Sequence, residues 1–170
     1  QTIDLGIFAG EADNLINKLG GTIKIAEAIT HQKNIKDAAV HHLLTVQPEG
    51  KIIFSLSAPD GKKLALQIKK ELKNQGRGAR YVEIKNTASI LHNQLVKKQG
   101  DLTVVNYRLF VTRAIQPIEE MSKFDFDRPG SDSRSGMLPP KLAKIMLNLA
   151  QIDNQSILLD PFCGSGTVLM

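Results

Sequence analysis

Cys163 is the only cysteine in 170 residues, so no disulfide can close within the chain and a small disulfide-stapled secreted scaffold is excluded. A reducing, cytoplasmic setting is the expectation. Nowhere does an apolar run approach the roughly 18 residues that a membrane span needs, so no membrane partner is expected. The start lacks the basic segment and apolar stretch of a secretory leader, and it opens on Gln1 rather than methionine. A fragment or processed chain is therefore expected. No internal repeat is present. The hydrophobic share of 42% and charged share of 23% are those of ordinary globular proteins, and the length suits one large domain or two small ones.

The net charge of +5 is unevenly placed. Residues 1 to 60 carry five Lys/Arg against seven Asp/Glu, residues 61 to 115 twelve against three, and residues 116 to 170 five against seven. The positive charge thus belongs to the middle third, as in a protein that holds a polyanion on one surface. A solvated lysine face is the plainer alternative.

Strand and helix signals alternate. Glu11 to Leu19 has helical spacing and stops at Gly20-Gly21; Thr22 to Ile29 predicts a strand, Ile35 to Leu44 a helix and Lys51 to Ser57 a strand. Asp60-Gly61 opens a helix to about Asn74 in which Leu64, Ile68 and Leu72 form an apolar line. At about 100° per residue Lys62, Lys69 and Lys73 fall together, with Lys63 and Lys70 beside them, away from that line. After the turn Gln75-Gly76-Arg77-Gly78, Ala79 to Ile84 predicts a strand that carries Arg80 outward, and Ser89 to Val96 a helix. Asp101 to Tyr107 and Leu109 to Ile115 predict two more strands. Pro117 to Gly136 is charged and turn-forming and predicts a linker, in which Asp125 and Asp127 are solvated acids. Pro139 and Pro140 then open a helix with Leu142, Ile145, Met146 and Leu149 on one stripe, either core or the wall of a ligand pocket.

The segment Ile157 to Asp160 reads as an apolar strand entering a glycine loop, Pro161-Phe162-Cys163-Gly164-Ser165-Gly166-Thr167. Glycines tolerate positive φ and let backbone approach a ligand at the carboxyl end of a strand. Three familiar loops do not fit. A phosphate-cradling loop needs lysine where Thr167 stands, a dinucleotide fingerprint needs a small residue where Leu169 stands, and a nucleophile elbow needs glycine where Cys163 stands. Cys163 has no activating partner in view, and His31, His41, His42 and His92 lack metal-ligand spacing. His41 and His42 point about 100° apart on a helix, as surface or satisfied core residues.

The run Asp160-Pro161-Phe162, Gly164, Gly166-Thr167 resembles the first motif of S-adenosylmethionine-dependent amino-methyltransferases. Arg128-Pro129, Asp132, Gly136 to Ala143 and Met146, Asn148, Leu149, Ala150 are similar to the segment that joins a THUMP domain to its methylase in tRNA guanine-N(2) methyltransferases. Shorter likenesses to that family's ferredoxin-like and THUMP segments lie at Leu19 to Ala26, Arg80 to Val82, and Leu91 to Asn93 with Leu95. The resemblance implies an α+β ferredoxin-like/THUMP region followed by the start of an α/β Rossmann-like methyltransferase domain. Its parts would be residues 1–50 (partial ferredoxin-like segment), 51–116 (THUMP-like), 117–138 (linker) and 139–170 (start of the methylase).

The same resemblance implies S-adenosylmethionine as cofactor, held by Pro139, Pro140 and the loop Asp160, Pro161, Phe162, Cys163, Gly164, Ser165, Gly166 and Thr167. It implies tRNA as partner, with Arg80, His92 and Asn93 matching motif positions. Charge placement adds Lys62, Lys69, Lys73, Arg77 and Lys97 as RNA-contact candidates. The family's later Asp/Asn-Pro-Pro-aromatic motif, which orients the target amine, has no counterpart up to Met170 and is expected beyond it. The chain by itself is therefore expected to be inactive and to hold no catalytic residue. Residues 139 to 170 are then expected to pack against the THUMP-like part, to pair with a second copy or to be loosely ordered. Two other readings are a non-catalytic THUMP-type RNA-binding module and a DNA amino-methyltransferase.

Overall fold

The structure, a computed structural model, describes residues 11–29, 34–126, 138–153, 155–164 and 166–169. The order of elements is α1 (Ala12–Lys18), β1 (Lys24–Ala28), α2 (Ile35–Val46), β2 (Ile52–Ser57), α3 (Gly61–Asn74), β3 (Ala79–Tyr81), α4 (Thr87–His92), β4 (Asp101–Val105), β5 (Arg108–Ile115), α5 (Ile118–Phe126) and α6 (Pro140–Leu149), closed by a 3-10 turn at Thr167–Leu169. The described residues divide into two units, the first holding those between 24 and 115 and the second holding residues 11–23 with the described residues from 116 onward.

The first unit is α+β, built on a mixed five-stranded sheet in the order β1-β5-β4-β2-β3. β1, β5 and β4 pair antiparallel, whereas β4, β2 and β3 run parallel. Period-two burial in β2 explains one layer: Ile52, Phe54 and Leu56 join Leu102, Leu109 and Val111 beneath Ala39 and Leu43 of α2 and Ala65, Ile68 and Leu72 of α3. Phe54 and Tyr81 meet tilted at 5.8 Å between centroids. On the opposite face Val82, Ile90 and Leu95 pack with Ile53, Ile84, Val96 and Ile115.

Local chemistry sets the boundaries. The Asn34 side chain accepts from the Lys36 amide to start α2, and that of Asn86 accepts from Ser89 to start α4. α3 ends at Gly76 with φ +75°; its amide donates to the Lys73 carbonyl, and that of Arg77 to Leu72, which satisfies the last carbonyls of the helix. Gln47, buried after α2, acts as a piece of strand: its Nε2 donates to the carbonyls of Ile53 and Lys98, and its Oε1 accepts from Ile53 N–H.

The second unit gathers helices distant in sequence. Gly20 lies so close to α6 that an added Cβ would stand 2.2 Å from the Lys141 carbonyl oxygen. Lys144 Nζ and Asn148 Nδ2 donate to the carbonyls of Asn17 and Lys18, capping the C-terminal end of α1, and Gln116 Nε2 donates to Gly20 O.

Four expectations need correction. Residues 118–126 of the expected 117–138 linker form a helix, because Ile118 and Met121 supply apolar positions and Met121 is buried; residues 127–137 lie outside the described residues. The expected strand through Tyr107 stops at Val105, since Asn106 and Tyr107 both adopt positive φ in a two-residue hairpin turn. β1 and α2, assigned to a segment ending at residue 50, share the sheet and core of residues 51–115. Ile157 to Asp160 is not a strand, and it has no ladder partner among the described residues: Ile157 is 98% and Leu159 84% exposed.

Candidate functional site

The glycine loop belongs to the second unit. Pro139 caps α6 in an extended conformation, and Pro140 sits buried at the first helical position, where its missing N–H costs nothing. Ala143 N–H donates to Pro139 O at 3.0 Å. The stripe read as apolar is divided: Ile145 is half-buried against Gly21, while Leu142, Met146 and Leu149 are exposed because the inward face of α6 carries Pro140 and Ala143. Downstream, Asp160 Oδ1 accepts from Phe162 N–H at 3.1 Å, and Gly166 N–H donates to Cys163 O at 2.7 Å. These bonds fold the loop on itself. Gly164 and Gly166 have φ of +51° and +76°, a left-handed backbone that a side chain would strain, so both glycines are conformational requirements. Thr167 is buried at the start of the 3-10 turn; Phe162 and Cys163 are exposed. Ser165 lies outside the described residues, and so does Met170, the position beyond which the amine-orienting motif is expected. The described loop therefore offers a carboxylate and backbone amides at the start of a 3-10 turn, the groups a cofactor seat requires.

The cationic surface belongs to the first unit. Lys62, Lys63, Lys69, Lys70 and Lys73 of α3 are all exposed, opposite buried Ala65, Ile68 and Leu72. Exposed Arg80 lies on the edge strand β3, and His92, the last residue of α4, and Lys97 beyond it are both exposed. Asn93 is half-buried and donates to the Ser89 carbonyl, finishing α4. Arg77 serves the fold: its guanidinium donates to the carbonyls of Pro48, Gln47 and Gly50 at 2.6–3.1 Å and holds the turn after α2. Its place in a cluster of basic residues gave no hint of this role.

A buried polar cluster escaped the sequence reading. Asp101, fully buried on β4, accepts from Ser55 Oγ at 2.6 Å, Thr112 Oγ1 at 2.6 Å and Lys24 Nζ at 3.2 Å; Lys24 also donates to Thr103 Oγ1 at 2.9 Å. The available signal was an acid at the head of an otherwise Leu-Thr-Val-Val strand. His42 donates through Nε2 to the Gln99 carbonyl at 3.0 Å, while His41 is exposed, matching the expectation of satisfied or surface histidines. Burial pushes the His42 pKa down, the Gln99 carbonyl opposes that, and Arg113 and His41 add to it. No group of three or more metal-ligating side chains occurs among the described residues. None of their helices is long and apolar enough to cross a membrane.

Residues 130–170 match the family model of the RMKL-like methyltransferase domain. The chain is 35% identical over 71 residues to a tRNA (guanine(10)-N2)-dimethyltransferase of Methanothermobacter thermautotrophicus, covering 39% of this chain and 20% of that protein. It is 51% identical over 35 residues to the protein of the same name in Methanocaldococcus jannaschii, covering 21% of this chain and 10% of the relative. No solved structure matches. The likeness to a methyltransferase domain thus rests on the segment that contains α6 and the glycine loop.

Proposed function

We propose that the chain carries the RNA-holding part and the cofactor-loop end of an S-adenosylmethionine-dependent tRNA guanine-N(2) methyltransferase, its first unit being THUMP-like. The observation that carries this reading is the glycine loop, with its two left-handed glycines, inside the segment similar to an RMKL-like methyltransferase domain, in a chain that is similar over part of its length to two tRNA dimethyltransferases.

The loop residues fit the methionine end of that cofactor. An amino-acid zwitterion needs a carboxylate for its ammonium group and N–H donors for its carboxylate, and Asp160 stands half-exposed beside a run of loop amides. Gly166 leaves open space where a Cβ would stand, so backbone can come near a ligand. When bound, S-adenosylmethionine supplies an electrophilic methyl group. The role of this chain is to bind and orient: Asp160, Gly164 and Gly166 shape the cofactor seat, and the lysine face of α3 with Arg80 and Lys97 meets phosphate.

Full-length protein should transfer labelled methyl to tRNA and yield N2-methylated guanosine on nucleoside mass spectrometry. Gly164→Val should abolish the transfer without abolishing tRNA binding. If the reading frame beyond Met170 lacks an Asp/Asn-Pro-Pro-aromatic motif, or DNA rather than tRNA is methylated, this reading fails. The +9 segment supports a second reading, a non-catalytic RNA-binding module, which predicts tight tRNA binding with no methyl transfer under any condition.

A further inference from the structure

β4 turns into β5 through only two residues, Asn106 and Tyr107, since Val105 faces Arg108 across the ladder. Both have positive φ, +49° and +59°. A two-residue turn of that kind favours asparagine followed by glycine, because its backbone matches the twist of the strands only when both central residues are left-handed. Asn106 suits its place. Tyr107 does not, for a bulky side chain at positive φ costs stability that glycine would not. Nothing in the described part of the molecule offsets that cost: the side chain is 93% exposed and makes no hydrogen bond or ring contact there. The other tyrosine, Tyr81, packs its ring against Phe54 of the core. An exposed aromatic held in a strained turn, with no contact of its own, marks a site that meets something outside the fold.

The surroundings of the ring narrow the choice of partner. Arg108 follows it, exposed and without an ion pair among the described residues. β2 and β4 run parallel with Ser57 opposite Thr103, so the hairpin tip leaves the sheet at the same end as residues 58–60, which lead into α3. Exposed Lys62 and Lys63 stand in the first turn of α3, and Asp60 is the one acid between Ser57 and Lys63. A protein interface would set apolar surface around the tyrosine, whereas its chain neighbours are exposed Asn106 and Arg108. We propose that Tyr107 stacks on the face of one RNA base while Arg108 holds an adjoining phosphate. The proposal rests on the RNA-binding reading and adds to the lysine ridge of α3 a stacking contact at the end of the sheet. Every base has a π face and every nucleotide a phosphate, so a tyrosine–arginine pair grips RNA with little regard to sequence. The ladder on either side fixes the turn, and the ring has little backbone entropy to lose on binding.

The test uses the 170-residue chain and a labelled tRNA transcript, with affinity read by fluorescence anisotropy across a salt series and stability by thermal melting. Glycine is the residue this turn prefers, so Tyr107→Gly should melt higher than wild type and yet bind tRNA about tenfold more weakly, with the salt slope unchanged. Tyr107→Phe should keep wild-type affinity, since the ring and not the hydroxyl makes the contact. Arg108→Ala should weaken binding and flatten the slope by about one phosphate contact. Unchanged tRNA affinity in Tyr107→Gly overturns the proposal, leaves the hairpin to a protein partner and keeps the RNA reading in place. A lower melting temperature in that variant, or a loss of affinity in Tyr107→Phe as large as in Tyr107→Gly, overturns it as well. Wild type that binds no tRNA at low salt overturns both.

Discussion

At the scale of single residues, the molecule depends most on polar groups that are buried or committed to the fold. Asp101 is a charge removed from water and compensated by two hydroxyls and one ammonium. Removing one partner of a buried pair leaves the others unmatched, so Asp101→Ala should destabilise the first unit by about 3 kcal/mol, read as a lower urea midpoint. A change below about 1 kcal/mol would show the cluster to be dispensable. His42 gives a pH dependence whose sign follows from burial. Its folded pKa lies below the ordinary value of about 6.5, so the unfolded chain takes up a proton first as pH falls. Stability contributed by neutral His42 is present above about pH 6.5 and is lost as pH falls through that value toward the lower folded pKa. Thermal melts at about pH 7.5 and about pH 5.5 should differ less in His42→Gln than in wild type. Both residues were hard to read in sequence, because a histidine on a helix and an acid at a strand head show their surroundings only after β4 and the Gln99 turn have closed over them.

At the scale of elements, α3 was the most legible. Its apolar line and lysine face come from one periodicity, and the structure buries Ala65, Ile68 and Leu72 while leaving every lysine exposed. Arg77, just beyond the helix, shows where charge counting stops. Arg77→Ala should lower the melting temperature by removing three bonds to carbonyls, with little effect on the salt slope of RNA binding; a slope reduced as much as by a ridge lysine would restore it as an RNA contact. The Gly20-Gly21 pair was legible as a helix stop but not as a contact surface. Its partner α6 lies about 120 positions away in sequence, and only packing shows that a Cβ on Gly20 would strike the Lys141 carbonyl. Gly20→Ala should therefore loosen α1 from α6 at a cost of about 1–3 kcal/mol, detected as faster amide exchange in α1 with β2 and β4 unaffected.

At the scale of the whole molecule, the two units differ in how well they cover their apolar surface. The first closes a core on one sheet face and a smaller one on the other. The second leaves Leu149, Ile157, Leu159 and Phe162 between 79% and 98% exposed. Large exposed apolar surfaces are a general mark of interaction sites. We propose that this chain self-associates through the one on the second unit when nothing else covers it. Sedimentation velocity should show an oligomer that grows with concentration, and Ile157→Lys/Phe162→Lys should return it to monomer. A wild-type monomer throughout would count against the proposal.

Local order along the chain was written in the sequence: the alternation in β2, the caps at Asn34 and Asn86, the stop at Gly76, and the glycines at 164 and 166 all follow from backbone sterics and neighbouring side chains. The same holds for the placement of charge in the middle third. Tertiary structure alone decided which distant residues meet, because burial, ion pairing and close approach depend on three-dimensional neighbours. It set Lys24 beside Asp101, bound Arg77 to the turn after α2, brought α6 against Gly20, and left Ile157 to Leu159 without the ladder partners that would make an apolar run into a strand.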